Sequence, residues 1–574
     1  MHRAVGTWVL SSLLALLVVG GTACAPEAPG DGFADLVLRG GKVVSLDGEI
    51  GEARALAIRG HTIAAVGSEE EIETHVGPDT RVIELDGRLA IPGFVEGHGH
   101  WMSLGRAQQI LDLGAAANWS EIVEMVAEAA EQAEPGEWIF GRGWHQEKWD
   151  EVPSPTVDGV PLNDGLSAVS PDNPVYLGHA SGHASFANDA ALSAAGIDGS
   201  TPDPDGGTIV RAPDGEPTGL LRENAQDIVE AAIEEYEAGL DPDEMERSRR
   251  EQVRLAGLEA LRNGVTSFHD AGTSFETIDF LRTLEEEGSL PVRLYVMVRY
   301  ESNEEMAERL PDYRMTMEGN DFLTVRSIKR QIDGALGSHG AWLLEPYADM
   351  SSSTGLVLEP VAEIERTAEI ALDHGFQVNT HAIGTRANRE VLDIYERKWR
   401  AAGADGPELR WRIEHAQHLH PDDIPRFAEL GVIAAMQGIH CTSDGPWIPE
   451  RLGPERSEIT SYRWRDLIDS GAILGNGTDV PVERIDPIAS YYASVSRTMN
   501  TGQAFHRGQA MTRMEALESY TINNAYLAFE EELKGSLTPG KLADVVVLSQ
   551  DILTVAEDEI PNTTVDYTIV GGEV

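Results

Sequence analysis

At 574 residues the chain is too long for one simple core, so two or three domains are expected. Hydrophobic residues make up 41% and aromatic residues 6%, an ordinary globular balance, but 44 Lys and Arg against 96 Asp and Glu leave a formal charge of −52. A surface that acidic repels nucleic acid and anionic membranes, which excludes DNA and RNA as partners and suits a very soluble protein.

Residues 1–24 read as a secretory signal peptide. Arg3 gives a basic start, residues 8–19 are apolar apart from Ser11 and Ser12, and small residues lead to Cys24. The run is too short to span a membrane comfortably. Cys24 after small residues resembles a bacterial lipoprotein cleavage site, with ordinary cleavage near Ala25 as the alternative. Residues 25–33 then read as a tether. The expectation is a bacterial protein exported across the inner membrane, either periplasmic or held at the outer membrane by one lipid anchor. Cys441 is the remaining cysteine; it cannot form an internal disulfide and reads as a small buried residue.

Residues 34–92 alternate short strand patterns (36–38, 40–44, 55–58, 62–66, 81–85) with glycines. Residues 543–548 and 567–572 have the same character, so one β domain is expected to be completed by both ends of the chain, from 34–92 and 536–574. Between them, at 93–535, strands alternate with helices. The first strand ends at His98 and His100. Others are expected at 265–271, 292–298, 323–332, 376–381, 410–415, 432–437 and 472–479, with helices such as 361–374 and 386–399. Eight strands in this alternation predict an α/β fold built on a parallel (β/α)8 TIM barrel. The gap between strands one and two is too long for one helix. It carries helical patterns at 117–133 and 241–261, the second opened by Asp241 as N-cap and Pro242 at the first helical position. A Gly/Pro-rich insertion at about 134–223, with short strands at 138–140 and 175–177, reads as a subdomain over the barrel mouth.

Active sites of such barrels lie at the C-terminal strand ends. His98 and His100, at i and i+2, point to one side of a strand and make half a metal site; alone, such a pair is as often a surface feature. Strand four carries Lys329, followed by Asp333. Strand five ends in His381, strand six in His415 and strand eight in Asp479. Six such groups converge on one rim if the barrel forms.

The stretches 92–100 (PGFVEGHGH), 181–192 (SGHASFANDAAL), 264–272 (GVTSFHDAG), 327–347, 378–388, 412–432, 475–487 (GNGTDVPVERIDP) and 521–548 resemble the amidohydrolase superfamily. Within it they resemble the amidohydrolase-3 (YtcJ-like) branch, which includes N-substituted formamide deformylase. The resemblance covers about residues 34–574. It implies a composite β-sandwich from the two termini beside the barrel. It also implies two divalent metal ions, zinc being the expected metal: one held by His98, His100 and Asp479, the other by His381 and His415. Lys329 falls where binuclear members carry a CO2-modified lysine; a free ammonium has no acceptor, whereas a carbamate is an anion able to bridge. The mechanism implied is attack of a metal-activated hydroxide on a carbonyl, with Asp479 as general base and then acid. The substrate expected is a small-molecule amide, N-formyl or N-acyl, cleaved at a non-peptide C–N bond. His183, Asn188, Trp144 and His269 are expected to touch substrate. His145 shares the standing of Trp144, Asp270 ends strand two and faces the same rim, His339 and Trp342 follow strand four, and Glu414 is expected to orient a ligand. His418, His420 and His440 are set aside as non-ligands, the first two as loop or surface residues. The alternatives are a mononuclear deaminase or cyclic-amide hydrolase of the same superfamily, and a non-catalytic binding lipoprotein. Among protein partners, these readings leave a homo-oligomer open.

Overall fold

The computed structural model describes residues 32–574 apart from 152, 158, 319 and 320. The expected signal peptide, Cys24 and most of the tether lie outside the described residues.

Eight parallel strands form the central sheet: β1 (Phe94–Gly99), β2 (Val265–Thr273), β3 (Arg293–Val298), β4 (Leu323–Gln331), β5 (Gln377–Ala382), β6 (Arg412–His415), β7 (Ile433–Gln437) and β8 (Leu474–Gly477). They neighbour one another in chain order, from β1 to β8. Closure back to β1 comes through a parallel bridge between Gly99 and Val480, with Asp479 N donating to His98 O at 2.8 Å and His100 N donating to Val480 O at 2.8 Å. The strands are buried almost throughout, as parallel strands covered on both faces must be. The long helix before β2 spans Pro242–Arg262, capped by Asp241 with Pro242 in its first turn.

Segments from before and after the barrel pair with each other. Leu89–Pro92 pairs antiparallel with Val545–Leu548, in a five-stranded sheet that also holds Lys42–Val44, Glu52–Ala53 and Val565–Ile569. A second, four-stranded sheet runs Thr62–Gly67, Ala55–Arg59, Leu36–Arg39, Arg81–Glu84. Leu38, Leu56 and Ile58 of one sheet share an apolar cluster with Ala90, Val545 and Val547 of the other.

The insertion between β1 and β2 has a sheet of its own. Six strands run in the order Gly207–Arg211, Pro217–Glu223, Ala184–Ala187, Val175–His179, Ile139–Trp144, Leu111–Asp112. It therefore begins near Leu111, earlier than the composition shift at 134. The helix Trp119–Ala130 packs Ile122 and Val126 into the same cluster as Trp144, Leu177 and Phe186.

Candidate metal centre

The loop after β8 delivers the carboxylate. Gly477 has no room for a Cβ, which would stand 2.5 Å from Glu96 Oε1 and 2.7 Å from His98 N. That close approach lets Asp479 N bond His98 O and sets the Asp479 side chain against both histidines of β1. Asp479 Oδ1 lies 3.5 Å from His98 Nε2 and 3.2 Å from His100 Nε2. Asp479 and His415 have φ of 58° and 74°, in the left-handed region, and such strain persists where surrounding structure over-determines it, often at functional sites. The His98 and His415 ring centroids are 4.7 Å apart, and His415 and His381 are 4.3 Å apart. These side chains and Lys329 line one cavity of about 530 Å³.

Two of the imidazoles are held from behind. His98 Nδ1 meets Glu414 Oε2 at 2.5 Å, and His415 Nδ1 bonds Gln437 Oε1 at 2.7 Å. Both arrangements leave Nε2 turned toward the cavity, the usual way a protein fixes the tautomer of a ligating histidine. Glu414, expected to orient a ligand, thus serves His98 across the barrel, while Gln437 holds Glu414's chain neighbour His415. Asp333 ties the loops after β4 and β5: its carboxylate accepts from Ile383 N, Gly384 N and Trp342 N. His381 Nε2 is 3.7 Å from Asp333 Oδ1.

Burial pushes His98, His100 and His381 down from the ordinary imidazole range, and His415 to about 3. Their lowered values favour the neutral form, the state in which imidazole binds metal. Burial alone would raise Asp479, but the hydrogen bond from His100 and the nearby His98 and His415 hold it well below the usual carboxylate range. Burial, then the charge of Arg299, lowers Lys329 to about 8. Burial raises Glu414 to about 7 against the pull of Arg412 and Lys329.

The donor set fits a divalent ion. His98 Nε2 and His381 Nε2 are buried with no hydrogen-bond partner among the described residues, and an unsatisfied buried acceptor costs about 1–3 kcal/mol. The ligand atoms of His98, His100 and Asp479 lie within 4.8 Å of one another, and so do those of His415, His440 and Asp479. Imidazole nitrogen with carboxylate oxygen is a zinc-type set.

His183 also reaches the cavity, its Nδ1 2.6 Å from Glu223 Oε2 and its ring 5.5 Å from that of His381. Three expected substrate contacts lie elsewhere. Asn188 is fully buried as the N-cap of helix Asp189–Ala194; its Oδ1 accepts from Val175 N and Ala191 N, and its Nδ2 donates to Ser170 O and Asn173 O. All its bonding capacity is spent inside the insertion. Trp144 is a core residue there, donating from Nε1 to Leu177 O at 2.8 Å. His269 points into the barrel interior, beside Arg412 and Tyr295, and does not line the cavity. Asp270 accepts from Trp101 N, and His339 faces Asp349. His145 lines an adjoining cavity with His179.

Two of the set-aside histidines also depart from expectation. His418 lies in the loop after β6 as expected but is buried there on Ser461, not at the surface; His420 caps the turn at Pro421–Asp423. His440 lies in the site: its Nδ1 is 3.1 Å from Gln417 Nε2, and its ring stacks 6.4 Å from His415. The sequence held a signal for it, since His440 follows the end of β7 as His415 ends β6.

The amidohydrolase family profile matches residues 81–574. The chain is 34% identical to protein LONG AFTER FAR-RED 3 of Arabidopsis thaliana, covering 94% of this chain and 91% of that one. It is 30% identical to the YtcJ amidohydrolase of Bacillus subtilis, covering 94% and 98%, and 27% identical to N-substituted formamide deformylase of Arthrobacter pascens, covering 94% and 97%. An uncharacterized metal-dependent hydrolase from Pyrococcus horikoshii superposes with a TM-score of 0.72 at 27% identity, covering 91% of this chain and 99% of that one. With a barrel whose strand ends gather histidines and an aspartate around one cavity, this chain belongs to the amidohydrolase family and is a hydrolase of carbon–nitrogen bonds.

Proposed function

We propose that the protein hydrolyses the amide bond of a small N-formyl or N-acyl amine. In this reading His98, His100 and Asp479 would hold one zinc ion and His381 and His415 a second, and Lys329, once carbamylated, would add an anionic oxygen ligand. The observation that carries it is the convergence of these five ligand side chains on the cavity that Lys329 also lines. When bound, the ions would lower the pKa of water and polarise the scissile carbonyl. The similarity to N-substituted formamide deformylase supports a formyl-type substrate.

The chain's own groups then have distinct tasks. The lowered pKa of Lys329 raises its share of neutral amine above that of an ordinary lysine, and that nitrogen adds to CO2, forming the N–C bond and releasing one proton. Asp479 starts as a carboxylate and takes the proton of the attacking water, then delivers it to the departing nitrogen. With Gln417 Nε2 donating to His440 Nδ1, the ring proton of His440 sits on Nε2, a donor for the substrate carbonyl oxygen. His183, braced by Glu223, positions the acyl side.

The test is metal content by plasma mass spectrometry, on protein purified with bicarbonate and without added metal. About two ions per chain is the expected result. About one would favour a mononuclear deaminase-type site with unmodified Lys329, and none after reconstitution would remove the reading. Lys329→Ala retaining full activity would exclude the carbamate. Asp479→Asn is expected to abolish turnover in a folded protein. We also read the two terminal sheets as one composite β-sandwich, and residues 1–24 as an export signal ending at a lipid-modified Cys24. Cys24→Ala should release the protein from the membrane fraction.

A further inference from the structure

We propose that the polar chamber of the site binds a carboxylate carried by the substrate, with Arg142 and Arg299 as its partners. The proposal deepens, and rests on, the reading of the site as an amide hydrolase.

The chamber of about 530 Å³ is lined by His98, His100, Lys329 and Asp479 and also by Arg142 and Arg299. Arg142 projects from the strand Ile139–Trp144 of the insertion. Its Nη2 donates to Ala180 O at 3.0 Å, while its Nε is buried with no hydrogen-bond partner. Arg142 and Asp479 line the same chamber, and the Asp479 carboxylate is the leading charge acting on this guanidinium. Arg299 follows the end of β3. Its Nη2 donates to Gln331 Oε1 at 2.6 Å. Gly272, at φ +125°, leaves the space that Arg299 crosses: a Cβ there would stand 2.7 Å from Arg299 Cβ.

Neutral oxygens anchor both guanidiniums, and neither makes an ion pair with a carboxylate among the described residues. Arg299 acts on the Asp227, Asp270 and Glu359 carboxylates only at a distance, so N–H donors of both guanidiniums stay available to an external anion, for which the guanidinium fork is well shaped. The chamber's own acids are mostly engaged. Glu223 serves His183 and Ser338, Glu359 accepts from Gln331 N and faces Arg330 at 3.6 Å, and Glu230 accepts from Tyr176. Asp227 stands exposed at the rim. In a chain with 96 acidic against 44 basic residues the overall field opposes an anionic ligand, so local cationic donors are what would admit one. The adjoining cavity, lined by Leu336, Ile383 and Trp447, takes the apolar remainder of the same molecule.

The test compares N-formylleucine, as both enantiomers, with N-formylleucinamide, on metal-loaded protein. The pair differs in charge at nearly constant size. One enantiomer of the acid should exceed the amide in kcat/KM by about tenfold to a hundredfold, the worth of a charge-assisted hydrogen bond. Arg142→Gln and Arg299→Gln should each reduce that ratio at least tenfold, and Arg142→Lys should restore part of it. Thermal unfolding identifies any variant that does not fold, and Arg299→Gln stands in if Arg142→Gln fails. An acid hydrolysed no faster than the amide, or a ratio unmoved by both variants, overturns the proposal. If neither compound is hydrolysed, calorimetric binding decides. Tighter binding of the acid, weakened by Arg142→Gln, keeps the carboxylate site and removes N-formyl amines as the substrate; equal binding removes the site.

Discussion

Glu414 contacts His98 from 316 positions further along the chain, and it carries the sharpest prediction at the scale of single residues. Its carboxylate turns Nε2 of His98 toward the cavity. Glu414→Gln should weaken metal binding about 10–100-fold, measured by competition with a chelator, as removal of such a supporting partner typically does. Unchanged affinity would mean that packing alone orients the ring. His98, His100 and Asp479 stood out in the sequence because their residue types and their places at strand ends are local facts. The partner of His98 did not, because Glu414 lies beside His415 in the chain and beside His98 only after the barrel closes. Arg142 sits in the visible Gly-Arg-Gly-Trp pattern, yet its lack of an acidic partner is a property of the folded chamber.

At the scale of elements, Asn188 separates structural from functional reading. It caps one helix and ties two loops of the insertion. Asn188→Ala should cost about 2–4 kcal/mol, because a lost cap is compounded by buried groups left unpaired. Substrate preference should stay as it was; a changed preference with an unchanged melting curve would restore it to the site. A second element-scale prediction concerns helix Arg513–Ser519, where Glu515 completes a capping box with Thr512 and pairs with Arg465. The Arg465 hydrogen bond, against a smaller burial effect, holds Glu515 at about 2. A depressed carboxyl contributes stability above its ordinary value, near 4.5, and loses it as pH falls through about 2. Arg465→Met should therefore move acid unfolding to higher pH, followed by circular dichroism. The strand–helix alternation of the barrel was legible because each element announces itself over a few residues. The start of the insertion's sheet at Leu111 was not: a two-residue edge strand has no periodicity to read.

The whole molecule is governed by its charge of −52. Self-repulsion at that excess should be relieved by salt, so the melting temperature should climb by several degrees between about 10 mM and about 500 mM sodium chloride. A flat response would show that the charges are already compensated locally. Chelation of divalent ions should act in the opposite direction and lower the melting temperature, since a ligand that binds the folded state alone stabilises it. The sequence by itself determined the barrel, the closing of a β unit by segments from either side of it and the strand-end places of His98, His100, His381, His415 and Asp479, because hydrophobic period, turn residues and strand-end positions are written locally. Only the tertiary structure decided which group braces which histidine, that His440 enters the site while Asn188, Trp144 and His269 leave it, and that Arg142 and Arg299 share its chamber. Those are distances between residues remote in the chain, and they exist only once the sheet closes and the insertion docks over its mouth.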